Sequence, residues 1–225
     1  MRAGWPAVGS ALLLAAFALS AQGQSGPMIQ VDFSNPDLTP PHWTLLLHPD
    51  GSGHFRSERG GPPAVSAQNP PQAIEAVEVD RDVRVSAEFA GHVFQEARRH
   101  KWFTAGCDSR DKVAFQGLKK LTYTGPEAHG SCAFNYSKDR ELQDLSDSLV
   151  AVAETILEGA RLEKFLLHDR LGLDQEMEFL TEAASDGRLQ QIGVIRGILE
   201  RLEEDPGVME RVKKRARVLL AKVGD

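Results

Sequence analysis

The chain has 225 residues, of which 41% are hydrophobic and 26% are charged, and its formal net charge is -6 at pH 7. This balance is ordinary for a folded globular protein and argues against a disordered chain or a membrane bundle. Because nucleic acids and anionic lipid surfaces are polyanions, a net negative charge disfavours both as partners. We expect one or two domains and no nucleic-acid partner.

The first residues have the pattern of a signal peptide. Arg2 gives a short positive region, and the apolar run Ala11–Leu19 is too short to span about 30 Å of hydrocarbon. Small residues follow at Ala21 and Gly23, as a signal peptidase site requires. We assign residues 1–23 to a signal peptide and expect a secreted or periplasmic protein with no stable membrane insertion after cleavage. An uncleaved anchor and a buried helix are the alternatives.

Residues 28–139 have the pattern of an α+β domain made of hairpins and one helix. Segments of alternating apolar residues are separated by turn-forming residues, which predicts antiparallel strands. The Gly- and Pro-rich stretch Arg59–Gln72 is predicted to be a loop. The predicted elements are, in chain order, strands Met28–Phe33, Trp43–His48 and Gly53–Glu58, a strand at Ile74–Val79 or Val83–Val85, a helix Ser86–Phe103, and strands Leu118–Thr124 and Cys132–Tyr136.

Cys107 and Cys132 are the two cysteines of the chain. An even number of cysteines in an exported protein favours a disulfide. A buried pair of free thiols and half of a metal site are the alternatives. Zinc needs four ligands, often in close-spaced pairs, and the sequence has no C-x-x-C motif. We therefore predict a disulfide between these residues. In the last predicted strand Cys132 points the same way as Phe134, so we expect it to face the core.

From Glu141 onward, apolar residues recur every three or four positions, which predicts amphipathic helices. The predicted helices are a long one from Glu141, one from Asp174 that ends near Asp186-Gly187, one over Arg188–Glu204, and a last one that starts at Asp205-Pro206. Short connections predict antiparallel neighbours. We assign residues 140–225 to an all-helical segment of antiparallel helix pairs, packed on the first domain. Its architecture resembles a degenerate HEAT-type array.

The mature region combines a hairpin, a helix, a second hairpin and a long helix, and its two cysteines lie within Trp102–Asp139. In this arrangement the chain resembles a family of uncharacterised domains in exported bacterial proteins. The resemblance implies the α+β fold and the extracytoplasmic location. It implies no activity.

The sequence contains none of the local motifs of the common enzyme classes. G-x-S-x-G, a phosphate loop of the G-x-x-x-x-G-K type, G-x-G-x-x-G after a strand and H-E-x-x-H are all missing. No cofactor is therefore implied. His48 and His54 flank the first hairpin turn and, with Asp50, offer three ligands of types that suit zinc or copper. Polar residues at an exposed hairpin end are the simpler interpretation, and we assign no metal site.

The remaining histidines and loop acids have ordinary structural explanations. His168 lies where a helix C-terminus favours a cation, and His129 lies in an exposed Gly-Pro loop. His92 and His100 fall on the predicted helix before Cys107. The acids of the following loops lack the D-x-D-x-D-G pattern of a calcium site. These acids are Asp108, Asp111 and Asp139.

The last predicted helix is basic. The candidate interaction surface consists of Arg211, Lys213, Lys214, Arg215 and Arg217. It follows an acidic segment, Glu200–Asp205, and such opposite charges can select a protein partner, although a solvated helix face has the same composition. We expect an exported, non-catalytic binding or structural protein with a protein partner and an undefined oligomeric state.

The alternative function is a small extracytoplasmic hydrolase of unknown substrate. Catalytic groups assemble from spatial neighbours, so missing motifs do not exclude it. A pocket that brings together polar groups such as His48, His54, Asp108 or His129 would favour this alternative.

Overall fold

A computed structural model describes residues 26–59, 78–109 and 111–223, so the predicted signal peptide and nearly all of the predicted loop Arg59–Gln72 lie outside the described residues. The elements are β1 (Met28–Ser34), β2 (His42–Leu47), β3 (Ser52–Ser57), β4 (Val79–Arg84), α1 (Ala87–Arg99), a 3₁₀ turn (Lys101–Phe103), β5 (Leu118–Thr124), β6 (His129–Phe134), α2 (Arg140–His168), α3 (Gly172–Asp186), a second 3₁₀ turn (Ile192–Ile195), α4 (Arg196–Glu204) and α5 (Glu210–Lys222). The predicted α+β class is confirmed. No helix among the described residues is long and apolar enough to cross a membrane.

The six strands form one antiparallel sheet in the order β4-β3-β2-β1-β5-β6. Residues paired across neighbouring strands share one face, and one such row is buried across five of the strands. The row consists of Phe55, Leu45, Val31, Leu121 and Cys132. Cys132 therefore faces the core, as its alternation with Phe134 predicts. An antiparallel sheet with one apolar face needs helices on that face only.

Helix α2 is shared by two apolar cores. The first core contains the buried face of the sheet, α1 and the part of α2 up to Ala160. The second contains the C-terminal end of α2 together with α3, α4 and α5. Two ion pairs join α2 to the sheet, Arg81–Glu163 at 2.8 Å and Lys119–Asp147 at 3.4 Å.

The C-terminal helices differ from the prediction in where they begin. Helix α3 ends at Gly187, as predicted, and the φ of +85° there is the left-handed conformation that glycine adopts at helix ends. The predicted helix Arg188–Glu204 is divided into a 3₁₀ turn and α4. Helix α5 begins after Pro206 rather than at it, because the Asp205 carboxylate accepts the Gly207 N–H at 2.7 Å and forms a turn.

Gly159 lies in α2 where this helix contacts the second 3₁₀ turn. The helix is continuous through this position. A Cβ atom added to Gly159 would collide with the side chain of Ile195. Glycine at this position therefore allows the two elements to pack closely.

We expect Gly159→Ala to lower the free energy of unfolding by about 1–3 kcal/mol through overpacking, although alanine is the better helix former. Gly91→Ala is the matched control, because a Cβ atom at this exposed position of α1 meets no atom within 4 Å. The control should raise the free energy of unfolding by about 0.5–1 kcal/mol. Urea denaturation measures both, and a gain in stability for both variants would contradict the packing argument.

A buried group of charges lies between α2 and α3. Arg161 donates to Glu158 Oε1 at 3.0 Å and to Glu176 Oε2 at 3.2 Å, and each carboxylate side chain is 8% exposed. Glu158 Oε2 and Glu176 Oε1 are buried and have no donor among the described residues unless one of the two carboxylates carries a proton. Burial, a hydrogen bond to Glu176 and the nearby negative charges raise the pKa of Glu158 to about 8, against the opposing effect of Arg161. Burial also raises the pKa of Glu154 on the same face.

We expect the free energy of unfolding to fall as the pH rises from about 4.5 to about 8, because the folded protein retains a proton that the unfolded chain releases. Glu158→Gln replaces the protonated carboxyl with a neutral amide and should flatten this pH dependence. Glu182→Gln changes an exposed residue of α3 and serves as the control. Urea denaturation across this pH range tests the expectation, and equal slopes for wild type and Glu158→Gln would refute it.

Candidate functional site

A cavity of about 360 Å³ lies beside the disulfide, between the end of α1, the loop that follows it and the start of α2. Its volume falls in the range of about 300–1,000 Å³ that is usual for small-molecule sites. The ionisable residues in its lining are Arg99, His100, Lys101, Asp108, Lys138 and Asp139. Three chain segments thus place charged side chains around one space.

Cys107 and Cys132 form the predicted disulfide, with Cα atoms 5.9 Å apart. Cys132 belongs to the buried row of the sheet, whereas Cys107 lies in the loop after α1. Both residues line the cavity. The bond therefore fixes the loop to the sheet and forms part of the cavity wall.

Three consecutive residues next to the cavity have left-handed backbone conformations. The φ angles of Lys101, Trp102 and Phe103 are 52°, 57° and 60°, and each such residue costs about 1–3 kcal/mol when it is not glycine. Packing holds the turn, because the Trp102 ring stacks on Tyr123 at a centroid distance of 4.1 Å and Phe103 is buried. Strain of this kind is concentrated at functional sites in proteins.

His100 connects the cavity with a buried carboxylate one turn earlier on α1. The Glu96 side chain is 4% exposed, and its Oε1 accepts a hydrogen bond from Arg99 at 2.8 Å. Glu96 Oε2 lies 3.9 Å from His100 Nε2. Both atoms are buried and have no hydrogen-bond partner among the described residues. The other ring nitrogen, His100 Nδ1, lies 3.4 Å from Asp139 Oδ2.

Asp139 and Glu141 bring the start of α2 to this group. Asp139 Oδ1 accepts the backbone N–H groups of Glu141 at 3.1 Å and Leu142 at 3.2 Å, which caps α2. One potential ligand atom each of Glu96, His100 and Glu141 lies within 4.8 Å of the others. An imidazole with two carboxylates is a donor set that suits a divalent transition metal.

The predicted pair His48 and His54 lies on the exposed face of the sheet, beside a separate open cavity of about 520 Å³. Both ring nitrogens of His54 are engaged, with Asp80 and Asp82 at 2.9 Å each, and the hydrogen bond to Asp82 raises the pKa of His54. His48 Nδ1 lies 3.3 Å from a backbone carbonyl, and Asp50 accepts hydrogen bonds within the hairpin turn. These are the contacts of an ordinary hairpin end.

The predicted interaction surface on α5 contains several internal ion pairs. Arg211 and Arg215 pair with Asp174, and Arg217 pairs with Glu203 and Glu210. Lys213 and Lys214 have no ion pair among the described residues. The surface therefore offers a partner less unpaired charge than its composition implies.

The sequence points separately to Cys107, His100, Asp108 and Asp139, and we did not predict Glu96 or Glu141 from it. The available signal is E-x-x-x-H, which places Glu96 and His100 on one face of a helix. That spacing is common on exposed helices. Its significance here comes from the burial of Glu96 and from the position of α2.

Comparisons with known proteins give no assignment. Neither the protein-family models nor the curated proteins searched contain a match to this chain. The candidate function therefore rests on the geometry of the cavity and of the group around His100.

We expect the double variant Cys107→Ser/Cys132→Ser to have a free energy of unfolding lower by about 3.5 kcal/mol, because the bond closes a loop with a sequence separation of 25. Urea denaturation with and without reductant measures the effect. Reductant should destabilise the wild type by a similar amount and leave the double variant unchanged. Equal stability of the oxidised wild type and the double variant would contradict a structural role for the bond.

Proposed function

We propose that this protein acts outside the cytoplasm as a non-catalytic binding protein whose ligand site is the cavity beside the disulfide. The observation that carries the proposal is the convergence of charged groups from three segments on one cavity with a covalently fixed wall. A disulfide and the signal-peptide pattern support the extracytoplasmic location. The predicted surface on α5 is a less favoured site for a partner, because much of its charge is paired internally.

The charges in the cavity lining favour a small anionic ligand. Cationic side chains outnumber acidic ones in the lining, although the whole chain is negatively charged. Arg99 and Lys138 also pair with acids outside the lining. Lys101 is exposed and has no ion pair among the described residues, so its ammonium group is the one most available to a carboxylate.

A hydrolase receives less support from the same geometry. His48 and His54 lie on the exposed sheet face, Asp108 lies at the disulfide cavity, and His129 contacts Thr124 in the second hairpin. Among these groups only His48 and His54 share a cavity, and both ring nitrogens of His54 already contact aspartates. The cysteines are bonded to each other, so neither supplies a thiolate nucleophile.

We expect at least one small carboxylate from a panel of succinate, citrate and the amino acids to bind the purified, disulfide-bonded protein in a 1:1 complex. Lys101→Gln should weaken this binding about tenfold or more, which corresponds to about 1.4 kcal/mol. Lys112→Gln changes an exposed lysine of the same loop outside the lining and should leave binding unchanged. Thermal-shift screening followed by isothermal titration calorimetry makes the measurement. If no panel member binds, or if both variants bind like wild type, the proposal is wrong.

A further inference from the structure

We propose that Glu96, His100 and Glu141 bind one divalent transition-metal ion, with Zn²⁺ as the first candidate. The site adjoins the proposed ligand cavity through His100. It rests on separate observations and does not require that the cavity binds a carboxylate.

The three residues come from two elements whose packing fixes their positions. Glu96 and His100 are four positions apart, at the end of α1, and Glu141 lies in the first turn of α2. Their ligand atoms lie within 4.8 Å of one another. Bonds of about 2.0–2.2 Å to zinc place neighbouring ligand atoms roughly 3–4 Å apart. The exposed Glu141 side chain can close the remaining distance without repacking the core.

Two buried polar atoms in this group have no hydrogen-bond partner among the described residues. Glu96 Oε2 and His100 Nε2 are 3.9 Å apart, which is beyond the reach of a hydrogen bond. Buried polar atoms are nearly always paired, so an unpaired couple requires a physical reason. One cation between them satisfies a carboxylate oxygen and an imidazole nitrogen at the same time.

Neighbouring residues hold the two buried ligands in position, as residues that contact metal ligands usually do. Arg99 donates to Glu96 Oε1, which leaves Oε2 as the coordinating atom. Asp139 lies 3.4 Å from His100 Nδ1, which leaves Nε2 for the ion. A carboxylate on the second ring nitrogen is the usual partner of a metal-binding histidine. Asp139 is itself fixed by its role as the cap of α2, so we assign it as a positioning residue.

The donor set discriminates among metals. One imidazole and two carboxylates suit zinc, manganese, iron or cobalt, whereas calcium and magnesium prefer six or more oxygen ligands. Three protein ligands leave a coordination position open. Because His100 also lines the cavity, an ion held here lies at the edge of the cavity.

The test is isothermal titration of the untagged, disulfide-bonded protein with ZnCl₂, and in parallel with MnCl₂ and CoCl₂. We expect one saturable site per chain for Zn²⁺. His100→Ala and Glu141→Gln should each weaken Zn²⁺ binding at least tenfold, and Asp139→Asn should weaken it about 10–100-fold while asparagine still caps α2. Glu88→Gln on α1 and His129→Gln are the matched controls and should bind like wild type.

Glu141→Gln guards against a loss that is due to misfolding, because Glu141 is exposed and glutamine has nearly the same size and shape. A Co²⁺ visible absorption band that disappears in His100→Ala supports direct coordination. Absence of a saturable 1:1 site, or equal Zn²⁺ affinity in Glu141→Gln, His100→Ala and the two controls, overturns the proposal. The titration contains no carboxylate ligand, and the carboxylate panel is repeated on protein that has been passed over a chelating resin to remove metal ions. The Zn²⁺ titration therefore tests the metal site, and the carboxylate panel tests the ligand cavity.

Discussion

The apolar face of the sheet must be shielded from water, and the rest of the structure depends on how α2 packs on this face. Each large side chain buried there contributes about 1.5–3 kcal/mol, so apolar burial holds α2 on the sheet. Two ion pairs add to this contact, the half-buried Arg81–Glu163 and Lys119–Asp147, in which the lysine is buried. With 29 residues, α2 is about 43 Å long. It extends beyond the first core, and its C-terminal end forms the second core with α3, α4 and α5.

Carboxylates are buried at two places among the described residues, and the cost of burying their negative charge is offset differently at each place. Between α2 and α3, Glu158 and Glu176 share Arg161, and the raised pKa of Glu158 lets a proton replace the second charge. At the end of α1, Glu96 has Arg99 on one oxygen and faces an imidazole nitrogen with the other. The first arrangement is complete with a proton. The second leaves a buried carboxylate oxygen and a buried imidazole nitrogen 3.9 Å apart with no partner among the described residues, which is the arrangement that the proposed metal cation completes.

Local patterns predicted the local features of this fold well. Alternation placed Cys132 toward the core, the even cysteine count predicted the disulfide, and Gly187 ends α3 because its backbone is left-handed. The sheet order was not predictable, because the pairing of β1 with β5 joins strands that are far apart in the chain. The predicted start of the last helix was wrong because the Asp205 turn competes with helix formation. The E-x-x-x-H spacing relates Glu96 to His100, but no sequence signal relates either residue to Glu141, since that proximity results from the packing of α1 and α2.

Asp139 links the fold to the candidate metal site. One carboxylate oxygen caps α2 and so determines where the helix that covers the sheet begins. The other oxygen lies beside His100, and Glu141 follows within the first turn. A shift in the start of α2 would therefore move the positioning residue and a proposed ligand together. On the opposite side, the disulfide and the left-handed turn fix the loop that leaves α1. Because both sides are held by contacts within the fold, Glu96 and His100 are positioned before an ion binds and mainly the exposed Glu141 side chain has to move, which lowers the ordering cost of binding.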